Sequence, residues 1–194
     1  MSCRLFTWAR MGLAGLLASV LLACTVNPPK DVTTVRPARE EIARFELNGR
    51  MAITQGEHSN TVRVHWEHTA SADLVRFAGP LGNTLAELRR DGSGAHWTGS
   101  DGSTYEAANT DELLVHLTDM SIPLDRLSRW VLGLPDTQMP FQNDTLGRML
   151  SSTDNGWTVH INRYENDAPS ALPTLLDAEG HGLRIRLAIE DWQL

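Results

Sequence analysis

Hydrophobic and polar residues alternate with a period of two along much of the chain. The cleanest run covers residues 183–190, in which every odd position is Leu or Ile and the even positions are mainly Arg or Glu. Strict alternation of this kind is typical of antiparallel strands that bury one face. The same pattern, interrupted by Gly, Asn, Asp or Ser, predicts further strands in residues 47–54, 61–66, 74–77, 84–90, 95–98, 104–107 and 157–161.

Two segments between residues 110 and 135 have the spacing of amphipathic helices instead. Thr110 is placed to cap the first helix, and Pro123 opens the second. The side chains expected on their apolar stripes are Leu113, Leu114, Leu117, Leu124, Leu127 and Val131. A shorter helix is expected to begin at Pro37. The pattern as a whole predicts a mostly β domain with a few short helices.

The N-terminus has the features of an export signal. Arg4 and Arg10 precede or flank an apolar run over residues 11–22, which is too short to span a bilayer comfortably. The run leads into Leu-Leu-Ala-Cys, ending at Cys24, which resembles the lipobox at which bacterial lipoproteins are cleaved and acylated. We expect residues 1–23 to be a signal peptide and Cys24 to carry lipid. The alternative is an ordinary secretory signal with an incidental cysteine.

Residues 24–39 contain three prolines and few apolar side chains, so we expect a tether there, followed by one domain over residues 40–194. Thr25 follows the cysteine. The absence of aspartate at this position resembles the sorting pattern of outer-membrane rather than inner-membrane lipoproteins. The expected location is therefore the outer membrane, with a lipid anchor and the domain facing the periplasm.

Charge and cysteine content narrow the possible functions. Without the signal peptide the chain carries 15 Lys and Arg against 24 Asp and Glu. Such an acidic protein is not expected to bind nucleic acid, or to attach to anionic lipid through a polybasic surface. The mature chain would keep Cys24 as its single cysteine, so no internal disulfide is expected and the hydrophobic core must stabilise the fold.

Catalytic motifs are missing from the sequence. It contains neither the Gly-x-Ser-x-Gly elbow of serine hydrolases nor a phosphate-binding P-loop, and residue 97 is Trp where a dinucleotide fingerprint would need Gly. His65 and His68, the closest histidine pair, would point to opposite faces of a strand, so no metal site is expected. The acids lie mainly at turns and helix starts, although a catalytic carboxylate pair remains an open alternative. We expect no cofactor and no enzymatic activity.

A turn-forming segment separates two predicted strands at residues 78–84. Pro80, Gly82 and Asn83 surround Leu81 in this segment. These residue types favour tight turns, so Leu81 should lie at an exposed tip. A single exposed leucine is common in proteins and by itself says little about function.

Six segments, in this order, resemble the LolB family. They are Phe45-Glu-Leu-Asn-Gly-Arg-Met-Ala, Val64-His-Trp, Gly79-Pro-Leu-Gly-Asn-Thr, Pro123-Leu-Asp-Arg-Leu-Ser-Arg-Trp-Val-Leu-Gly-Leu-Pro, Gly156-Trp and residues 183–192. The resemblance covers residues 42–192. It implies an outer-membrane lipoprotein that accepts acylated lipoproteins from the periplasmic carrier LolA and inserts them into outer-membrane lipid. The implied fold is an incomplete, unclosed antiparallel β-barrel of about eleven strands, with an apolar cavity covered by short helices.

The resemblance also implies roles for individual residues. In the LolB family the leucine of a Pro-Leu-Gly loop protrudes and promotes membrane insertion of the cargo, and this loop corresponds to Pro80, Leu81 and Gly82. The protein is expected to act as a monomer. The cavity lining varies within the family, so candidates for acyl-chain contacts come from alternation and helix spacing alone: Met51, Ile53, Val62, Val64, Trp66, Leu113, Leu117, Leu127, Val131, Ile185 and Leu187.

Two other functions remain as alternatives at this point. The first is a lipoprotein hydrolase whose Ser, His and Asp, or whose two carboxylates, come together only in the fold. The second is a structural or assembly lipoprotein whose sheet edge binds another protein.

Overall fold

The structure is a computed structural model that describes residues 36–194. The expected signal peptide, Cys24 and most of the expected tether lie outside the described residues. Within the described part, no helix is both long enough and apolar enough to cross a membrane.

Eleven strands, two α-helices and one 3-10 helix make up the described part. The 3-10 helix is Arg39–Glu41, and the α-helices are α1 (Thr110–Thr118) and α2 (Leu124–Val131). The strands are β1 (Arg44–Gln55), β2 (His58–Thr69), β3 (Asp73–Ala78), β4 (Thr84–Asp91), β5 (Gly94–Gly99), β6 (Thr104–Ala107), β7 (Phe141–Asn143), β8 (Met149–Asp154), β9 (Trp157–Tyr164), β10 (Pro173–Gly180) and β11 (Leu183–Gln193).

All eleven strands belong to one antiparallel sheet. Their order is β6-β5-β4-β3-β2-β1-β11-β10-β9-β8-β7, so the first and last strands of the chain pair at the centre. The edge strands β6 and β7 do not pair with each other, which leaves the sheet unclosed. The fold class predicted from the sequence, a mostly β, unclosed antiparallel barrel with short helices, is confirmed.

The central pair β1 and β11 contains a bulge next to Gly49. The register shifts between Asn48 and Gly49, so that Glu190 is the extra residue on β11. A Cβ atom at Gly49 would lie only 2.4 Å from the carbonyl oxygen of Ala188. Glycine therefore permits the close approach of the two backbones, and bulges of this kind increase the curvature of a sheet.

Both helices pack on the same side of the sheet, which we call the inward face. Helix α1 contacts β5 and β6, while Trp130 of α2 packs against Trp157 of β9 with ring centroids 5.9 Å apart. Apolar side chains from most strands and from both helices form one continuous core between these layers. The alternating pattern of the sequence thus separates a buried inward face from an outward face rich in charge.

Three details differ from the sequence prediction. The cap of α1 is Asn109, whose side chain accepts a hydrogen bond from the Glu112 N–H, and not Thr110, which is the first residue of the helix. The expected helix at Pro37 is a single 3-10 turn that begins at Arg39. Alternation also failed to locate three strands, β7, β8 and β10.

Candidate functional site

The predicted acyl-contact residues all lie on the inward face or on the helix faces that cover it. Eight of them are buried: Met51, Val64, Trp66, Leu113, Leu127, Val131, Ile185 and Leu187. The other three, Ile53, Val62 and Leu117, are partly buried and pack against the same core. The structure therefore brings these side chains together, while their contact with acyl chains stays a prediction.

Helices α1 and α2 fill the inward face in this conformation. Trp66 is 0% exposed and Trp130 is 1% exposed, so the centre of the face is a packed core. Three of the clefts on the described surface have volumes of about 260 to 410 Å³, and Val64 is the one predicted acyl-contact residue that lines any of these three. An acyl chain could enter the inward face only if one or both helices moved away from the sheet.

The loop of residues 79–83, here called the Leu81 loop, joins β3 to β4. The Gly79 N–H donates to the Asn83 carbonyl and the Gly82 N–H donates to the Gly79 carbonyl, both at 2.9 Å. Gly82 has a φ of 84°, in the left-handed region that favours glycine. This turn leaves Leu81 97% exposed, the most exposed large apolar side chain of the described residues. The role of Pro80, Leu81 and Gly82 in membrane insertion stays a prediction.

A partly buried ion pair, which spacing along the sequence does not reveal, connects helix α2 to the sheet. Asp154, on the inward side of β8, is 4% exposed and pairs with Arg126 of α2. The neighbouring inward hydroxyl of Ser152 is buried without a hydrogen-bond partner. Polar side chains therefore lie between α2 and β8, at one side of a mainly apolar face.

A second buried polar cluster surrounds Asp73, which is 2% exposed. Its carboxylate accepts hydrogen bonds from Trp66 Nε1 at 2.8 Å, His68 Nδ1 at 2.5 Å and Arg90 Nε at 2.6 Å. Burial raises the pKa of Asp73, but the hydrogen bonds from His68, Trp66 and Arg90 outweigh burial, so the pKa falls below its ordinary value. A fully engaged, ionised carboxylate stabilises the fold and is not free to act as a general base.

One surface cluster has the distances of a Ser-His-acid triad. Ser93 Oγ lies 3.0 Å from His96 Nε2, and His96 Nδ1 lies 3.3 Å from a carboxylate oxygen of Glu106. The Ser93 hydroxyl, however, donates to Asp91 Oδ1 at 2.5 Å, and the Ser93 N–H donates to the same oxygen at 2.8 Å. These two hydrogen bonds lower the pKa of Asp91 to about 2, so its carboxylate remains ionised at neutral pH. Asp91 therefore competes with His96 for the serine proton and orders the β4–β5 turn, which favours a structural role.

Among residues 36–194, no group of three or more His, Cys, Asp or Glu side chains is arranged to hold a metal ion. His65 and His68 lie on opposite faces of β2, as their spacing predicts: His65 bonds to Asn48 Oδ1 on the outward face, whereas His68 reaches Asp73.

Comparisons with known proteins agree with the architecture. A LolA superfamily protein from Nitrosomonas europaea aligns with a TM-score of 0.50 and 12% identity, over 81% of this chain and 90% of that protein. A putative outer membrane lipoprotein-sorting protein domain from Vibrio parahaemolyticus aligns with a TM-score of 0.51 and 11% identity, over 79% of this chain and 86% of that domain. These two similarities concern the fold.

Sequence comparisons identify the family. Outer-membrane lipoprotein LolB of Azoarcus sp. (strain BH72) is 32% identical over 183 residues, which cover 94% of each chain. The LolB protein of Dechloromonas aromatica (strain RCB) is 30% identical over 92% of this chain and 94% of its own length. The sequence model of the family described as outer membrane lipoprotein LolB matches residues 43–192. The chain therefore belongs to the LolB family.

Proposed function

We propose that this protein is the outer-membrane receptor of the Lol pathway, which accepts acylated lipoproteins from the carrier LolA and inserts them into the outer membrane. The observation that carries the proposal is the continuous apolar inward face of an unclosed sheet, covered by two short helices. Acyl chains are held by many dispersed contacts with apolar side chains rather than by directional bonds, and such a face provides these contacts.

The energetics of acyl chains fit a receptor without a reaction centre. Each methylene group removed from water contributes about 0.8 kcal/mol. Transfer of three chains of roughly sixteen carbons from water to an apolar environment is therefore favourable by more than about 30 kcal/mol. A triacylated cargo cannot cross an aqueous space alone. The sequence has no nucleotide-binding motif, so transfer from carrier to receptor to membrane must run downhill in free energy.

We infer that acyl chains enter the inward face near the Leu81 loop. The partly buried residues Ile53 and Val62 lie near the β1–β2 turn, and Phe77 is one residue from the end of the strand that leads into the loop. Leu117 of α1 is also only partly buried, whereas α2 is held by the Arg126–Asp154 pair. Packing is therefore thinnest beside α1, where the helix can move with the smallest loss of contacts.

Cys24→Ala tests the proposed lipid anchor. The variant should accumulate as an uncleaved or unacylated precursor, because the thiol that receives the lipid is gone. Metabolic labelling with a palmitate analogue measures this directly. Cys3→Ala removes a cysteine inside the expected signal peptide and is the matched control; it should be labelled as strongly as the wild type. Equal label on Cys24→Ala would refute the lipoprotein assignment.

Leu81→Glu tests the proposed insertion loop. Because Leu81 is 97% exposed, the substitution should leave the melting temperature and cargo uptake from LolA nearly unchanged. Burying one leucine in the membrane is worth about 1.5 to 3 kcal/mol, so its loss should slow cargo incorporation into liposomes by about tenfold or more. The measurement is transfer of a labelled, acylated cargo from receptor to liposomes.

Leu150→Glu is the matched control for Leu81→Glu. Leu150 is 45% exposed on β8, far along the sheet order from the Leu81 loop, and it should deliver cargo at the normal rate. A clearly lower melting temperature of Leu81→Glu would show that the leucine has a structural role. Normal delivery by this variant would remove its role in insertion.

A further inference from the structure

Two arginines lie directly opposite each other on the outward face, beside the start of the Leu81 loop. Arg50 of β1 pairs with Arg63 of β2, and Arg63 pairs with Ala78, the last residue of β3. Arg50 also pairs with Ala188 of β11. The row therefore consists of two guanidinium groups with a small alanine on each side, a single strand away from the loop.

Like charges placed directly opposite each other on adjacent strands destabilise a sheet. Arg50 Nε has one partner, Glu190 Oε1 at 2.7 Å, while Arg63 forms no ion pair with any carboxylate of residues 36–194. The one comparable pair of acids, Glu46 and Glu67, is bridged by His65, which lies 3.6 Å and 3.1 Å from them. Arg63 therefore lacks the charge compensation that Arg50 receives from Glu190.

A cleft next to this row connects it with the loop. Its volume is about 260 Å³, and its lining includes Arg63, Arg76, Ala78 and Thr84. Glu190, whose carboxylate pairs with Arg50, also lines this cleft. Ala78 and Thr84 are the strand residues that flank the Leu81 loop. A guanidinium group binds phosphate oxygens through paired N–H donors, so an exposed arginine at the edge of this cleft suits a phosphate group.

We propose that Arg63, assisted by Arg50, is a docking site for the phosphate groups of membrane phospholipids. The proposal rests on the proposed function in one respect, that the Leu81 loop meets the membrane. The expected mature chain has an excess of acidic residues, which anionic lipid would repel. Arg63 supplies a local positive charge beside the loop, without an ion-pair partner among residues 36–194, that can orient the protein at the membrane surface. The arginines bind headgroup phosphates while Leu81 enters the apolar layer.

The test measures binding to vesicles of residues 24–194, produced without the expected signal peptide and with Cys24→Ala, so that no acyl chain anchors the protein. Sedimentation with vesicles of phosphatidylcholine is compared with vesicles in which about one third of the lipid is phosphatidylglycerol. Loss of one arginine near an anionic surface should lower the partition coefficient about fivefold at low ionic strength. We expect this loss for Arg63→Gln on the anionic vesicles and a much smaller one on phosphatidylcholine. Arg63→Lys should show an intermediate loss, because it keeps the charge but not the paired N–H donors.

Arg163→Gln is the matched control, because Arg163 is also outward and exposed, forms no ion pair among the described residues, and lies on the distant strand β9. It should bind as the wild type does. Removing the contact between like charges should leave Arg63→Gln at least as stable as the wild type, so unfolding would not explain a loss of binding.

Equal binding of Arg63→Gln and the control would overturn the proposal. The proposal would also fail if Arg63→Gln bound vesicles normally but took up cargo from LolA more slowly. The surface around Arg63 would then recognise an acidic protein. Leu81→Glu tests the insertion role of the loop separately from the phosphate site at Arg63, since it should weaken binding to both kinds of vesicle. If Leu81→Glu bound normally and Arg63→Gln did not, the phosphate site would stand and the insertion role of the loop would fail.

Discussion

Asp73→Ala should lower the free energy of unfolding by about 3 to 5 kcal/mol, because it removes one partner of a buried ion pair. The carboxylate is 2% exposed and accepts from Trp66, His68 and Arg90. Its removal leaves the buried Trp66 donor and the partly buried donors of His68 and Arg90 without their acceptor. The Arg90 charge then keeps only Asp125, at 3.5 Å. For a domain of this size the melting temperature should fall by roughly 6 to 20 °C.

Thermal and urea unfolding measure this effect. Asp167→Ala is the control, because Asp167 is exposed and a surface substitution of this kind usually changes stability by less than about 0.5 kcal/mol. Equal stability of the two variants would show that the cluster around Asp73 contributes nothing to the fold.

The same carboxylate makes the stability depend on pH. The pKa of Asp73 in the folded protein lies below its ordinary value of 3.8, since hydrogen bonds from His68, Trp66 and Arg90 outweigh burial. A group with a depressed folded pKa stabilises the fold at pH above the unfolded pKa, and this contribution is lost as the pH falls through the folded value. The wild type should therefore lose stability faster than Asp73→Ala below about pH 4.

The alternating pattern places each polar residue of the Asp73 cluster on the same face of its strand as a neighbouring apolar residue. His68 follows Trp66 on the inward positions of β2, Asp73 precedes Val75 on those of β3, and Arg90 follows Leu88 on those of β4. The register places the three polar residues in one row, His68 opposite Asp73 and Asp73 opposite Arg90. Alternation revealed the strands because their centres are apolar, but the pairing register that joins the polar ends was needed to predict the cluster.

The strands that alternation missed have a different cause. On β8 the inward positions include Ser152 and Asp154, so the pattern of apolar residues fails although both side chains are buried. On β10 the register shifts between Pro173 and Leu175 and again between Leu175 and Leu176, which breaks the period of two. The count of about eleven strands came from the resemblance to LolB, and it is correct even though the residues of three strands could not be located.

The candidate site was predictable to different extents. The tip at Leu81 follows from local turn chemistry, because Pro80 restricts its own φ and Gly82 permits the positive φ of the turn. The packing of α1 and α2 on the inward face could not be predicted in the same way. It depends on how the two helices cross the sheet, which is tertiary information. The outward Arg50–Arg63 row depends on the pairing of β1 with β2, which spacing along the chain does not specify.

Ile185→Glu should be the most damaging substitution, with a cost above about 4 kcal/mol. Ile185 is 0% exposed on the central strand β11 and pairs with Ile53 on one side and Ala178 on the other. A carboxyl group there would be buried in the apolar core without a designed partner, so either its charge or its neutral hydrogen-bonding groups would be left unsatisfied. Since domains are stable by about 5 to 15 kcal/mol in total, much of the protein should unfold or aggregate.

Ala188→Glu on the same strand provides the contrast, because Ala188 is on the outward face opposite Arg50, where a carboxylate gains an ion-pair partner. Urea unfolding and soluble yield should show a folded Ala188→Glu and a strongly destabilised Ile185→Glu.

Acyl binding is then better tested at the partly buried Ile53 or Val62, where a glutamate can reach water and the fold survives. A stable Ile185→Glu with normal fatty-acid binding would mean that the centre of the inward face accommodates a carboxylate without contacting acyl chains. The receptor proposal would then lose the surface on which it rests.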